Sequence, residues 1–396
     1  MSIKTAAGVF LTAIACLLAA PPAARAETPA GLAIDEALKP FIAANEVAGA
    51  VTLVVSPDKV LHVGAAGLAD VAAKRPMTPD TIFWIASMSK PITATAVMMM
   101  QDEGKLSVDD PVGKYIPELA DLKTADGKAH KVTIRHLLTH SSGMGEATAD
   151  EAKAAKTLAE VIPAYAKKPL AFEPGSKWSY CQSSINTAAR IVEVVSGQPF
   201  PEFLEKRLFA PLGMKDTAFY LSAEQEARLT KSYRRTADGK LEEAQVSILF
   251  GKPPTSRDRY PAANGGLYST AADYGRFCQM IMNAGTLDGR QYLKPESVKL
   301  MTSVQSGDLK TGFTPGNGWG LGWGVVREPQ GVTAMLSPGT HGHGGAHGTQ
   351  AWIDPQRRLA LILMVQRANF PAGNADASPL RQAFQQAAMN ALGGGK

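Results

Sequence analysis

Ser87-Met88-Ser89-Lys90-Pro91-Ile92-Thr93-Ala94-Thr95-Ala96-Val97-Met98-Met99-Met100 opens with a serine and a lysine three residues apart and runs on as an apolar helical stretch. Residues three apart on a helix share a face, so the Lys90 amine reaches the Ser87 hydroxyl and can accept or relay its proton. Pro91 lacks an N–H and is tolerated only where the helix has no bond for it to donate, which starts the helix near Met88. Ser87 then lies at a helix N-terminus, where unpaired backbone N–H groups and the dipole favour a developing oxyanion. The stretch points to a serine nucleophile and covalent acyl transfer. A second Ser-x-x-Lys, Ser56-Pro57-Asp58-Lys59, lies between alternating stretches at 50–55 and 60–63 and reads as a hairpin turn.

Outward from this stretch the chain changes character twice. Residues 32–44 have helical periodicity and precede the hairpin, whose second strand spans about 60–66. From 87 to about 195 the pattern is mainly helical, with helices expected at 91–103, 134–138, 158–166 and 184–195, and further ones at 201–208 and 270–283. After Asn317 come Gly- and Trp-rich extended segments at 320–326, 348–354 and 359–366, closed by a helix at 379–392. The expected fold class is α+β. An amino-terminal hairpin and a carboxyl-terminal strand set complete one antiparallel sheet, flanked by N- and C-terminal helices, with a mainly helical lobe inserted. The α/β lobe is expected at about 27–84 and 257–396 and the helical lobe at about 85–256, with the active site at their boundary.

The first 26 residues carry Lys4, an apolar run at 6–20, Pro21-Pro22 and the small-residue site Ala24-Arg25-Ala26. They read as a secretory signal peptide cleaved after Ala26, which implies a periplasmic or secreted protein with no stable membrane insertion after cleavage. The apolar run is shorter than the ~20 residues of a spanning helix. Losing Lys4 and Arg25 with this segment lowers the formal charge from +5 to +3. Basic residues are scattered and the aromatics form no stacking platform, so no nucleic-acid partner is expected. Cys181 and Cys278 remain in a chain bound for an oxidising compartment; both sit in apolar helical contexts and read as buried thiols, with a bridge as the alternative.

A serine nucleophile needs partners brought in from elsewhere in the chain. Two stretches stand out: Phe172-Glu173-Pro174-Gly175-Ser176-Lys177-Trp178-Ser179-Tyr180-Cys181-Gln182, a turn leading into a helix, and Gly342-His343-Gly344-Gly345-Ala346, leading into a strand. Together with Thr81-Ile82-Phe83-Trp84-Ile85-Ala86, Glu103-Gly104-Lys105-Leu106, Asp109-Asp110-Pro111, Ile134-Arg135-His136-Leu137-Leu138-Thr139-His140-Ser141-Ser142-Gly143, and Gly265-Gly266-Leu267-Tyr268-Ser269-Thr270 with Asp273, they carry a resemblance. The chain resembles the serine β-lactamase and penicillin-binding-protein superfamily, on the branch holding class C β-lactamases, D-alanyl-D-alanine carboxypeptidases and related esterases. The resemblance covers nearly the whole mature chain and implies a β-lactamase/transpeptidase-like fold.

It also implies roles. Ser87 and Lys90 stand at the Ser-x-x-Lys motif, Tyr180 to Gln182 at a Tyr-x-Asn position, and His343 to Gly345 at a Lys/His-x-Gly position. A Tyr180 phenol beside a Lys90 ammonium would be acidified and could shuttle protons between Ser87 and the leaving group. Gly344 and Gly345 allow a strand backbone to approach substrate, and by analogy the N–H of Ala346 pairs with that of Ser87 as the oxyanion hole. Gln182 stands where β-lactamases of this group carry asparagine, and its longer side chain places the amide differently toward an acyl-amide substrate. The expectation is therefore an exported serine hydrolase of carboxylic esters or related acyl substrates, needing no cofactor. A β-lactamase or D-alanyl-D-alanine carboxypeptidase is the alternative, with β-lactam or D-alanyl peptide as substrate. A catalytically silent, penicillin-binding-like sensor that keeps the fold is the alternative of a different class; loss of Ser87, Lys90 or Tyr180 would be its sign, and all three are present.

Two other chemistries are disfavoured. Three of the seven histidines fall within His341-Gly342-His343-Gly344-Gly345-Ala346-His347, which superficially suggests zinc, but no aspartate lies inside the cluster and no histidine follows it, so no metal site is expected. An α/β-hydrolase would show Gly-x-Ser-x-Gly, and no serine here has that context.

Overall fold

Alternation along two neighbouring apolar strands gives the molecule its layers. The computed structural model describes residues 29–312, 314–370 and 378–393; the leader-like segment 1–26 lies outside them. The strands of the main sheet, in chain order, are β1 (Gly49–Val55), β2 (Val60–Asp70), β3 (Arg75–Pro76), β4 (Asn317–Trp319), β5 (Gly324–Val326), β6 (His341–Gly344), β7 (Gln350–Asp354) and β8 (Leu359–Met364). They hydrogen-bond in the order β4-β5-β6-β7-β8-β1-β2-β3, every neighbouring pair antiparallel. The hairpin strands from the amino end thus join the strands from the carboxyl end through β1 and β8. Ser56 to Lys59 form the turn between β1 and β2, with the Ser56 N–H donating to the Lys59 carbonyl over 2.9 Å.

In that central pair Val51, Leu53 and Val55 stand opposite Met364, Ile362 and Ala360. These six side chains face one core, which runs on into the helical part of the chain. The intervening Val54, Leu361 and Leu363 face a second core, closed by Ile34 and Leu38 of helix α1 (Pro29–Ala43) and by Leu380 and Phe384 near the carboxyl end. Side chains of period two on a sheet covered on both faces require this strand composition.

Helix α2 (Ser89–Asp102) is buried at every position from Ser89 to Met100. A helix apolar all round belongs in a core. It packs against α3 (Gln182–Ser196) on one side, while α4 (Ala271–Met282) lies on the sheet. Gly275 permits that last contact, since a Cβ there would sit 2.6 Å from Leu53 Cδ2. The carboxyl-terminal helix α5 spans Pro379–Leu392, as its sequence pattern indicates, and packs on α1.

The structure departs from the sequence expectation in one strand assignment. Residues 320–326 are not one extended segment: Asn317–Trp319 and Gly324–Val326 are separate strands of a hairpin, and Gly320 N–H donates to Trp323 O across the turn, 2.8 Å. Packing imposes the break, because Gly320 lies against Met301 O and Gly322, at φ +77°, lies against Ala94 and the Lys90 carbonyl. The histidine-rich stretch leads into the strand β7, as expected, and its first part, His341–Gly344, is itself the strand β6 that pairs with it. Among the described residues no helix is long and apolar enough to cross a membrane.

Ile362 is fully buried between β1 and α4, so Ile362→Ala should lower unfolding stability by about 2–5 kcal/mol, measured by urea denaturation.

Candidate active site

Ser87 sits in a 3₁₀ turn, Ala86–Met88, that runs directly into α2. Ala86 holds φ +45°, a left-handed conformation costly for a residue with a side chain, and the surroundings hold it there. Ile85 N–H donates to Leu267 O, the Ser89 hydroxyl donates to Ala86 O and accepts from Leu267 N–H, and the Trp84 indole donates to Gly265 O. Ser87 alone of the residues from Thr81 to Met100 keeps partial exposure, so the turn presents one hydroxyl to solvent.

Lys90, one turn on, has no solvent exposure. Its amine lies 2.9 Å from Ser87 Oγ and 2.6 Å from the Asn264 carbonyl oxygen, and 4.7 Å from the centre of the Tyr180 ring. Burying an ammonium costs several kcal/mol, whereas each hydrogen bond returns about 1 kcal/mol. Burial therefore holds the Lys90 amine well below the usual lysine range, with the Glu146 carboxylate pulling weakly the other way. Burial thus disfavours the charged form of Lys90 on which an acidified Tyr180 would draw.

Tyr180 and His343 complete one side of the site. The Tyr180 hydroxyl lies 3.4 Å from His343 Nε2, and His343 Nδ1 lies 2.6 Å from the Gly344 carbonyl oxygen. A carbonyl only accepts, so Nδ1 carries the proton and Nε2 is left as acceptor for the phenol. Burial, with the neighbouring Lys90, pushes the His343 pKa down to about 3, so the ring is neutral at physiological pH. His140 backs this group: it is buried with φ +58°, its Nδ1 accepts the Cys181 N–H over 3.1 Å, and its ring lies 4.4 Å from that of Tyr180.

On the other side, Gln182 Oε1 accepts from Asn264 Nδ2 over 2.9 Å, and Asn264 N–H donates to Asn186 Oδ1 over 3.1 Å. Ser87, Gln182, Asn264 and Ala346 line a cavity of about 420 Å³, walled by Trp84, Tyr165, Ile248, Phe250 and Tyr260. Ala346 lies two residues beyond the end of β6. Gly345 is tied by its N–H to Thr349 O over 2.7 Å, and a Cβ on it would lie 2.7 Å from Ile85 O, so glycine lets this turn close on the serine turn. Buried Gln366 joins the two segments: its Nε2 donates to Trp84 O over 2.6 Å and its Oε1 accepts from Ser232 and lies 3.2 Å from His347 Nδ1.

The three clustered histidines do not converge. His341 Nδ1 goes to Gly339 O, His343 to Gly344 O and His347 to Ser232 and Gln366. Among the described residues no group of three or more His, Cys, Asp or Glu side chains is placed to hold a metal ion. Cys181 and Cys278 are separate buried thiols, not a disulfide.

Comparison with known proteins places this geometry. The Beta-lactamase family model matches residues 34–386. The chain belongs to the beta-lactamase family. Esterase EstB of Burkholderia gladioli is 32% identical over 364 residues, covering 84% of this chain and 88% of that protein. A putative D-alanyl-D-alanine carboxypeptidase of Escherichia coli (strain K12) is 28% identical, covering 83% and 80%. The solved structure of EstCE1, described as a hydrolase with promiscuous acyltransferase activity, superposes with a TM-score of 0.77 at 24% identity, over 91% of this chain and 98% of that one. The antiparallel sheet with its helices is thus the beta-lactamase and penicillin-binding-protein fold, and the chain is a member of a serine hydrolase superfamily with esterase and carboxypeptidase relatives.

Within this beta-lactamase-family site, sequence reading missed Asn264, Glu146 and His140. Asn264 directly precedes the Gly265-Gly266 stretch, and His140 lies inside the quoted 134–143 stretch, so the local signal was present without the role.

The neutral His343 has a consequence for stability. In the unfolded chain a histidine takes up a proton below pH ~6.5, while the folded site resists until about 3. Its contribution is fully present above the unfolded pKa and is lost as pH falls toward the folded one. Urea midpoints should decline as pH is lowered from 7 to 4.5, and the decline should be shallower in His343→Asn.

Proposed function

We propose that the chain is an exported serine hydrolase that forms an acyl-enzyme on Ser87 and cleaves carboxylic esters. The observation that carries this reading is a buried amine, driven toward neutrality, hydrogen-bonded to a partly exposed serine at the wall of a cavity. A neutral Lys90 donates one N–H to Asn264 O and keeps its lone pair for the Ser87 proton. As Ser87 Oγ attacks the ester carbonyl carbon, Lys90 takes that proton, and the oxyanion forms against the N–H groups of Ser87 and Ala346. Tyr180, with His343 behind it, passes a proton to the departing alcohol. Water then attacks the acyl-enzyme, and the same groups act in reverse to release the acid and restore Ser87.

Ester rather than amide chemistry is supported by Gln182, whose carbonyl is engaged by Asn264, and by the apolar and aromatic walls around it. The name of the EstB relative points the same way. Export rests on the leader pattern of residues 1–26. The carboxypeptidase relative supports D-alanyl peptides as the second reading.

Hydrolysis of p-nitrophenyl butyrate, with and without saturating benzylpenicillin, tests the proposal. Ser87→Ala and Lys90→Met should each lower kcat/KM by roughly a thousandfold or more. A Ser87→Ala variant retaining a tenth of the activity would remove that serine from the role. Unimpeded hydrolysis under penicillin is the result expected of a dedicated esterase; strong inhibition would favour the peptidase or lactamase reading.

A further inference from the structure

The cavity beside Ser87 has an unbalanced charge. Of the described side chains that line it, Glu146 is the one that carries a formal charge. The rest of the wall is apolar, aromatic or neutral polar, including Trp84, Ala152, Tyr165, Ile248, Phe250 and Tyr260. Glu146 is exposed and held in place: Oε1 accepts Gln182 N–H over 2.5 Å and Oε2 accepts Ser183 N–H over 2.9 Å. Its field reaches into the site, where it acts on Lys90, Tyr165 and Tyr260.

The groups that could cancel that charge, or welcome a second one, are already engaged. Gln182 opens α3, and a helix N-terminus ordinarily attracts an anion, but Glu146 itself occupies it. The Lys90 amine is buried against Ser87 and Asn264. His343 gives its one ring proton to Gly344 O. Lys168, packed beside Gly145, lies 3.6 Å from the Glu151 carboxylate. Tyr180 does not line the cavity, and with the proton return to the alcohol proposed for it above, the cavity is the side left for the acyl group.

Resting on the acyl-enzyme reading above, we propose that Glu146 sets the charge of the acyl group this site accepts, admitting neutral and cationic groups and turning away anionic ones. A substrate carboxylate entering the cavity meets Glu146, with no lysine, arginine or histidine among the described residues that line it. A quaternary ammonium meets an attractive carboxylate and aromatic walls that also favour a cation.

Three p-nitrophenyl esters of matched shape test this: 4-(trimethylammonio)butyrate, its neutral isostere 5,5-dimethylhexanoate, and 4-sulfobutyrate. Measured as kcat/KM at low ionic strength and divided by the neutral ester within each variant, the cationic ester should exceed the sulfonate by roughly tenfold or more. Glu146→Gln should shrink that ratio to about two or less, Glu146→Lys should invert it, and salt should move the wild-type and Glu146→Lys ratios toward one while leaving that of Glu146→Gln little changed. Taking ratios within a variant cancels changes in the shared machinery. A cation-to-sulfonate ratio unchanged by Glu146→Gln, or a wild type that prefers the sulfonate, would overturn the proposal. Serine-reactive p-nitrophenyl phosphonates carrying the same three groups, read by mass spectrometry of the Ser87 peptide, separate the two readings. Labelling in the same charge order without ester turnover keeps the Glu146 assignment and rejects the esterase; no labelling of Ser87 rejects the nucleophile and the charge selection built on it.

Discussion

An amine fully buried from solvent, 2.9 Å from a serine hydroxyl, is the constraint on which this molecule depends. Lysine is an expensive residue to bury charged and a cheap one to bury neutral, and the fold exploits the difference. Helix α2 carries Lys90 inside the core, and the Asn264 carbonyl, 174 residues away in sequence, accepts a hydrogen bond from its amine. Without that carbonyl the amine would be an unsatisfied buried donor; with an adjacent carboxylate it would be an inert ammonium. A neutral acceptor leaves it able to take a proton from Ser87.

The rest of the structure keeps this geometry in place. The sheet gives α2 a rigid partner through the core shared with Leu53 and Ile362, and the close approach of Gly322 lays the β4–β5 hairpin on the Lys90 carbonyl. Strain at Ala86 is offset by the hydrogen bonds that lace residues 84–89 to 265–267. Gln366 spans the gap between Trp84, ahead of Ser87, and His347, after Ala346, and so ties together two segments far apart in the chain. Such preorganisation is what allows backbone N–H groups to stabilise a developing oxyanion without reorganising during the reaction.

Much of this was legible in the sequence, for reasons specific to particular residues. The Ser87 to Lys90 spacing and Pro91 fix a helix start, and period-two alternation at 50–55 shows a strand, because both are local rules. The helix at Pro379–Leu392 follows from periodicity alone. The hairpin at 317–326 was not legible, since its break is set by contacts of Gly320 and Gly322 with Met301 and Lys90, which no local pattern encodes. For the same reason the ring of Asn264, Glu146 and His140 around Ser87 and Lys90 emerged only with the fold. The protonation state of Lys90 depends on burial from every side, and a motif specifies none of those sides.

Selective NMR of Lys90, with ¹³C at the ε carbon and Lys90→Met to assign the signal, tests that state most directly. The account predicts a titration midpoint well below that of free lysine, with the amine largely neutral near the pH of activity. A Lys90 resonance that stays in the ammonium position to pH 10 would contradict it and pass the role of base to Tyr180.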